Sequence, residues 1–233
     1  MARGPKPLKA AAVPVPPPTH SHQCALRAEM GSALVVGVDE VGRGPMAGPV
    51  VAAACHVPEH LEFTGLRDSK RMSKTALVTM AARLQAEPRV RFAIASVSAE
   101  QIESQGIGKA VQAAMRAAIA GVAGADAALI DGLVAPAGLE IPTQCVVRGD
   151  SACVSIAAAA VLAKVGRDQY MTDLAKVHPG YGFERNAGYG TPAHIAAVRA
   201  RGLCAEHRAS FWIKQQERWA IEDVSATVAA LVD

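Results

Sequence analysis

Aromatic side chains are scarce in this sequence. Phe, Trp and Tyr make up 4% of its 233 residues, although hydrophobic residues of all kinds reach 51%. Large rigid anchors therefore cannot fill the interior, and the core has to close on small and aliphatic side chains. Cysteine is sparse and scattered. Cys24, Cys55, Cys145, Cys153 and Cys204 are odd in number and show no C-x-x-C spacing, which argues against a zinc ribbon and against a disulfide framework. Free thiols, with no apolar leader near the amino terminus, fit a reducing cytoplasm. No apolar run approaches the roughly 20 residues that span a bilayer, since the longest, VSIAAAAVLA, stops at Lys164; no membrane association is expected. G-x-x-x-x-G-K-[ST] and G-x-S-x-G are both missing, which removes a P-loop and an α/β-hydrolase elbow. Nor is charge of one sign in excess, with 24 basic against 21 acidic residues. Such a balance does not identify a nucleic-acid ligand by itself, so where the charges fall matters more than their sum.

What is present falls into segments. Residues 1–30 are Pro-rich with scattered basic residues, a composition that predicts a disordered tail ahead of one folded domain over 31–233. ALVVGVDEV and PVVAAACHV read as Val-rich strands, and the Gly-Arg-Gly-Pro between them predicts a tight turn and an antiparallel pair. RVRFAIASVS is a third strand, AALIDGL a fourth ending at Asp131, and TQCVVRGD a fifth ending at Asp150. Ser73 is a plausible helix cap, and Ser98 with Gln101 has capping-box spacing. A long helix is predicted over 151–176, another over 192–201 between Thr191 and Gly202, and an amphipathic one over 214–231. This order predicts an α/β fold, a mixed sheet flanked by helices.

Three predicted strands end in carboxylates: Asp39 with Glu40, Asp131, and Asp150. Any one could be a solvated turn residue. If the strands are neighbours, however, four acids gather at one spot, and like charges so close repel unless something offsets them. Oxygen donors without Cys or His favour Mg²⁺ or Mn²⁺. GRGPMA, residues 42–47, also fits the dinucleotide fingerprint G-x-G-x-x-G/A. That fingerprint needs a helix directly after the glycines, whereas Pro49 and a Val-rich strand follow here. A small Gly-Arg-Gly turn instead suits close backbone approach to a nucleic-acid strand, with Arg43 near phosphate or sugar.

Six blocks, in order, carry a family resemblance: GVDEVGRGPMAGPVVAAA, LRDSKRMSK, LIDG, RGDSACVSIAAAAVLAKVGRD, HPGYGFERNAGYGT and HRASF. Over about residues 34–212 the chain resembles bacterial ribonuclease HII, the type 2 ribonuclease H. The resemblance implies a ribonuclease H-like mixed sheet flanked by helices, with a C-terminal helical segment. It implies an endoribonuclease that cuts the RNA strand of RNA–DNA hybrids and single ribonucleotides in duplex DNA. Hydrolysis would use two divalent cations, Mn²⁺ or Mg²⁺, and leave 5′-phosphate and 3′-hydroxyl ends. The metal-holding catalytic acids would be Asp39, Glu40, Asp131 and Asp150, the last preceded by Arg148 where the family has Lys. Gly42, Arg43 and Gly44 would recognise the ribose 2′-hydroxyl, Tyr189 would stack on the adjoining deoxyribose, and Lys70 would contact phosphate. A monomer is the simplest expectation.

Asp168 competes with Asp150. It lies 18 residues further on (168 − 150), about 27 Å along a continuous helix at roughly 1.5 Å per residue, so both cannot serve one site. Asp150 is preferred because it sits near the other strand ends, which leaves Asp168 with Lys164 and Arg167 for helix-surface or structural pairing. Two rival classes share some of these features. Another metal nuclease or transferase of the same fold would need the acids but not the Gly-Arg-Gly turn or Tyr189. A nucleic-acid binder without catalysis would lack one of the acids.

Overall fold

Val-rich segments on either side of the Gly-Arg-Gly turn do pair antiparallel, and the rest of the sheet grows outward from them. The computed structural model describes residues 16–31 and 34–216. Among these, β1 (Val35–Val41), β2 (Val50–His56), β3 (Arg91–Val97), β4 (Ala127–Asp131) and β5 (Thr143–Val146) form one sheet in the order β3-β2-β1-β4-β5. β2 runs antiparallel to β1 and β3, whereas β1, β4 and β5 run parallel. The helices are α1 (Ser21–Met30), α2 (Lys74–Ala86), α3 (Ala99–Gln105), α4 (Ile107–Ala120), α5 (Gly149–Ala152), α6 (Val154–Val177), α7 (Phe183–Asn186) and α8 (Pro192–Arg201), with a short 3-10 helix at Ser69–Arg71. No helix among the described residues is long and apolar enough to cross a membrane.

Strand alternation divides the central strands between two cores. Val36, Val38, Val50, Ala52 and Ala54 face Ile102 of α3 and the inner stripe of α4. Val51, Ala53 and Cys55 face α2 and the alanine-rich first half of α6. The aromatic-poor composition has its consequence here, because small side chains let helix and sheet approach closely. A Cβ on Gly37 would overlap the Ser155–Ile156 backbone, so this one missing side chain lets α6 lie directly on β1.

The expected caps hold. The Ser73 side chain accepts from the Ala76 amide, Ser98 and Gln101 form a reciprocal capping box, and Thr191 caps α8 with Pro192 at its first position. Four expectations do not. Residues 19–30 are not tail: the Thr19 amide donates to Ala152 O at 3.0 Å and Thr19 O accepts from the Val154 amide at 3.1 Å. Behind it α1 buries Gln23 and Leu26. Gln23 donates to Val57 O at 3.1 Å and accepts from Ser155 Oγ at 2.6 Å. The Pro-rich composition ends at Pro18, and two inward positions on α1 are enough to dock the helix; residues 1–15 lie outside the described part.

The single helix expected over 151–176 is broken at Cys153, whose backbone is extended at φ −118° and ψ 126° where it bridges to Thr19. The fifth strand likewise ends at Val146, so Asp150 stands in the first turn of α5 rather than on a strand. At the carboxyl end the chain is helical from residue 209, earlier than the expected 214, and residues 217–231 of that predicted helix lie outside the described part.

Candidate active site

The parallel register brings two of the acids together. Val38 pairs with Ile130, so one step on Asp39 and Asp131 stand abreast, on strands about 4.8 Å apart and on the same side of the pleat. Glu40, the next residue, turns to the other side at the strand end, where Arg43 Nη1 lies 3.2 Å from its Oε1. Asp150 arrives by another route. After β5 the chain turns at Arg148, which takes the left-handed φ of 55°, and α5 begins. The Gly149 amide then donates to Asp131 Oδ1 at 2.7 Å, which ties the start of α5 to the end of β4. Lys70 Nζ, on the 3-10 helix, sits 3.2 Å from Asp150 Oδ2.

These acids act on one another. Burial pushes the Asp39 carboxyl well above its usual range, and the charges of Asp131 and Glu40 push it further. Burial also raises Asp131, reinforced by the charge of Asp150 and opposed by the hydrogen bond from Gly149. Burial raises Glu40, with the hydrogen bond from Arg43 working against it. All donors here are hard carboxylate oxygens, which suits Mg²⁺ or Mn²⁺ and not a thiolate-loving ion. Among the described residues, no three His, Cys, Asp or Glu side chains are already drawn around one ion position. Arg43 and Lys70 instead hold Glu40 and Asp150, and an ion entering the site would take over those carboxylates. Mutual repulsion, burial and donor type together fit divalent cations.

Beside the acids lies the Gly-Arg-Gly turn. Gly42 is buried at φ 96°, a conformation that disfavours a side chain, and there the chain leaves β1. Arg43 and Gly44 are exposed. Tyr189 faces them, 46% exposed, its Cε1 3.9 Å from where a Gly44 Cβ would sit. The Met46 amide donates to Gly188 O at 2.8 Å and joins the two segments.

A model of the ribonuclease HII family matches residues 36–216, most of the chain. The chain belongs to the ribonuclease HII family. It is 47% identical to ribonuclease HII of Cereibacter sphaeroides over 83% of this chain and 91% of that one. Against ribonuclease HII of Shouchella clausii it is 46% identical over 78% of this chain and 70% of that one. Among solved structures it superposes on ribonuclease H2 from Pyrococcus horikoshii with a TM-score of 0.66 at 20% identity, covering 81% and 99% of the two chains. Bst-RNase HIII in complex with Mn²⁺ gives a TM-score of 0.58 at 22% identity, covering 76% and 66%. The two structures bear out the fold, and the family makes the chain an endoribonuclease acting on RNA–DNA hybrids. Family membership also decides against the rival classes.

Within this ribonuclease HII, Asp168 stands apart. Lys164 Nζ binds its Oδ1 at 2.6 Å one turn earlier in α6, whereas the charge of Asp150 reaches both Asp39 and Asp131. Arg167, left to a helix-surface or structural role, takes the structural one: it is fully buried, as is Arg208. His194 and His207 are also buried and lie 3.1 Å apart through their Nε2 atoms. Sequence reasoning assigned none of these four a place in the site. The signal available was the HRASF block, which carries two of them, and the basic residue inside AKVGRD.

Proposed function

We propose that this member of the ribonuclease HII family cuts at a single ribonucleotide embedded in duplex DNA as well as within longer hybrids. In this reading Asp39, Glu40, Asp131 and Asp150 would hold two divalent cations. Bound there, the cations would supply water activation and neutralise charge at the phosphate and the leaving 3′ oxygen, giving 5′-phosphate and 3′-hydroxyl ends. The observation that carries the reading is the side-by-side register of Asp39 and Asp131, with Asp150 tied to Asp131 through the Gly149 amide.

The chain's own groups do the rest. Lys70 is 79% exposed along its side chain, so its ammonium can leave Asp150 for a backbone phosphate. Arg43 can exchange Glu40 for phosphate or sugar in the same way. The Gly42–Arg43–Gly44 turn reads the ribose 2′-hydroxyl, the one group that separates RNA from DNA. Tyr189 packs on the adjoining deoxyribose, so turn and ring together sense a junction. The enzyme works as a monomer in the cytoplasm, where its free cysteines stay reduced.

The test uses a DNA duplex with one ribonucleotide, Mg²⁺ or Mn²⁺, and end-mapping of the products. The native chain should cut once, at the ribonucleotide, leaving 5′-phosphate and 3′-hydroxyl ends, and a chelator should stop it. Asp131→Asn should lose about a hundredfold to a thousandfold in rate with its circular dichroism unchanged, a loss on the scale of removing one electrostatic catalytic group. Cleavage by Asp131→Asn at the native rate would refute the assignment of the acids.

A further inference from the structure

Two fully buried arginines, Arg167 and Arg208, enter no ion pair among the described residues; their partners are backbone carbonyls. A buried cation without a counter-charge is costly unless its donors are satisfied. Burial, followed by the neighbouring charge of Arg167, pulls the Arg208 guanidinium down to about 10. The strain is concentrated beside the turn. Arg208 Nη2 donates to Gly42 O at 2.7 Å and Nη1 to Arg43 O at 3.1 Å, while Nε and Nη2 reach Gly48 O at 3.0 and 2.7 Å. One planar fork thus closes the loop at both of its ends. Arg167 donates to Pro49 O at 2.9 Å, to Ala47 O at 3.0 Å and to Ala187 O at 2.9 Å. The last bond fastens the turn to the segment that bears Tyr189.

Peptide planarity then fixes the far side of the turn. In a trans peptide the carbonyl and the following amide point in opposite directions. With the Gly42 and Arg43 carbonyls drawn inward to Arg208, the amides of Arg43 and Gly44 face outward. Both residues are exposed, and neither amide has a protein acceptor among the described residues.

We propose that Arg208 is a positioning residue for ribose recognition. It holds two carbonyls inward so that the Arg43 and Gly44 amides stay presented to the 2′-hydroxyl, and Arg167 keeps Tyr189 in register with them. This inference rests on the reading of the turn as the 2′-hydroxyl sensor.

The test is binding, measured with Ca²⁺ in place of the activating cation, to two duplexes that differ in a single 2′-hydroxyl. Arg208→Lys keeps the charge but gives up the planar fork. Native protein should prefer the ribonucleotide duplex, and Arg208→Lys should lose on the order of tenfold of that preference, the size of a hydrogen bond set out of line. Its affinity for the all-DNA duplex should stay as it was. A folded Arg208→Lys that keeps the native preference would overturn the positioning role while leaving the turn reading intact. No preference in the native protein would overturn the turn reading itself. Should Arg208→Lys fail to fold, amide hydrogen exchange on the native chain decides. Arg43 and Gly44 should exchange at solvent rates while the Met46 and Gly48 amides are protected, and slow exchange at Arg43 and Gly44 would refute the clamp.

Discussion

Tyr189 offers the sharpest test among single residues. Its ring is 46% exposed beside Gly44 while its backbone is held from the interior, the amide donating to Asn186 O at 2.9 Å and the carbonyl lying 2.9 Å from His194 Nδ1. A side chain on so fixed a backbone can be removed without moving the acids. Tyr189→Ala should therefore lower cleavage at a single embedded ribonucleotide by roughly tenfold, about 1.4 kcal/mol for one ring-to-sugar contact. Cleavage within a long hybrid should fall much less, because ribose neighbours offer many sites to the turn. Parallel rate measurements on both substrates check this, and equal losses would remove the junction role. At this scale the acids and the turn were legible from sequence, because a carboxylate after a Val-rich run and a Gly-Arg-Gly are both at odds with an ordinary strand. Arg167 and Arg208 were not. An arginine satisfied by backbone carbonyls looks the same in sequence as one facing water, since the type is mostly exposed.

Elements were legible where local chemistry sets them. Ser73, Ser98 and Thr191 cap their helices through their own neighbours, so spacing alone reveals them. The break at Cys153 was hidden because its cause, the bridge to Thr19, lies 134 residues away (153 − 19). The join between α8 and the segment that follows it holds a further consequence. The Tyr189 carbonyl can only accept, so His194 Nδ1 carries a proton and its Nε2 accepts from His207 Nε2 at 3.1 Å. His207 Nδ1 then accepts from the Cys204 amide at 2.9 Å. The relay works only with both rings neutral, since a second proton on either would set donor against donor. Burial first, then the charge of His194, lowers His207 to about 4. A ring that resists protonation when folded but titrates near 6.5 when unfolded costs nothing above that pH. Below it the unfolded state gains protons, so stability should fall between about 6.5 and 4, by on the order of 3 kcal/mol in full. Asp39, with its raised carboxyl, works in the opposite sense, so the comparison needs His207→Asn. Urea midpoints at pH 7 and pH 5 should drop for the native chain by more than for His207→Asn; equal drops would refute the relay.

At the scale of the whole molecule, the topology converts distance in sequence into contact. Glu40 and Asp131 are 91 residues apart (131 − 40), yet β1 and β4 are neighbours in the sheet. Periodicity identifies strands without ordering them, so in the sequence that adjacency stood only as a condition. The same convergence stores repulsion in the native fold. Asp39, Glu40 and Asp131 are all pushed up by burial, so at neutral pH their charges oppose folding, the cost expected if they are kept for the proposed metal site. Asp39→Asn removes one of those charges from a site only 8% exposed, and in the presence of a chelator it should unfold at a higher temperature than the native chain. Divalent cations should reverse the ranking. A ligand that binds only the folded state stabilises it by about 2.7 kcal/mol at a hundred times its dissociation constant. Mg²⁺ or Mn²⁺ should therefore raise the native melting temperature clearly and that of Asp39→Asn little. Thermal unfolding of both proteins with chelator and with cation gives four numbers, and the two curves should cross. If the cation lifts both proteins alike, it binds elsewhere and the four acids are not its site. If Asp39→Asn is the less stable with chelator, the buried charge is offset by partners other than a metal.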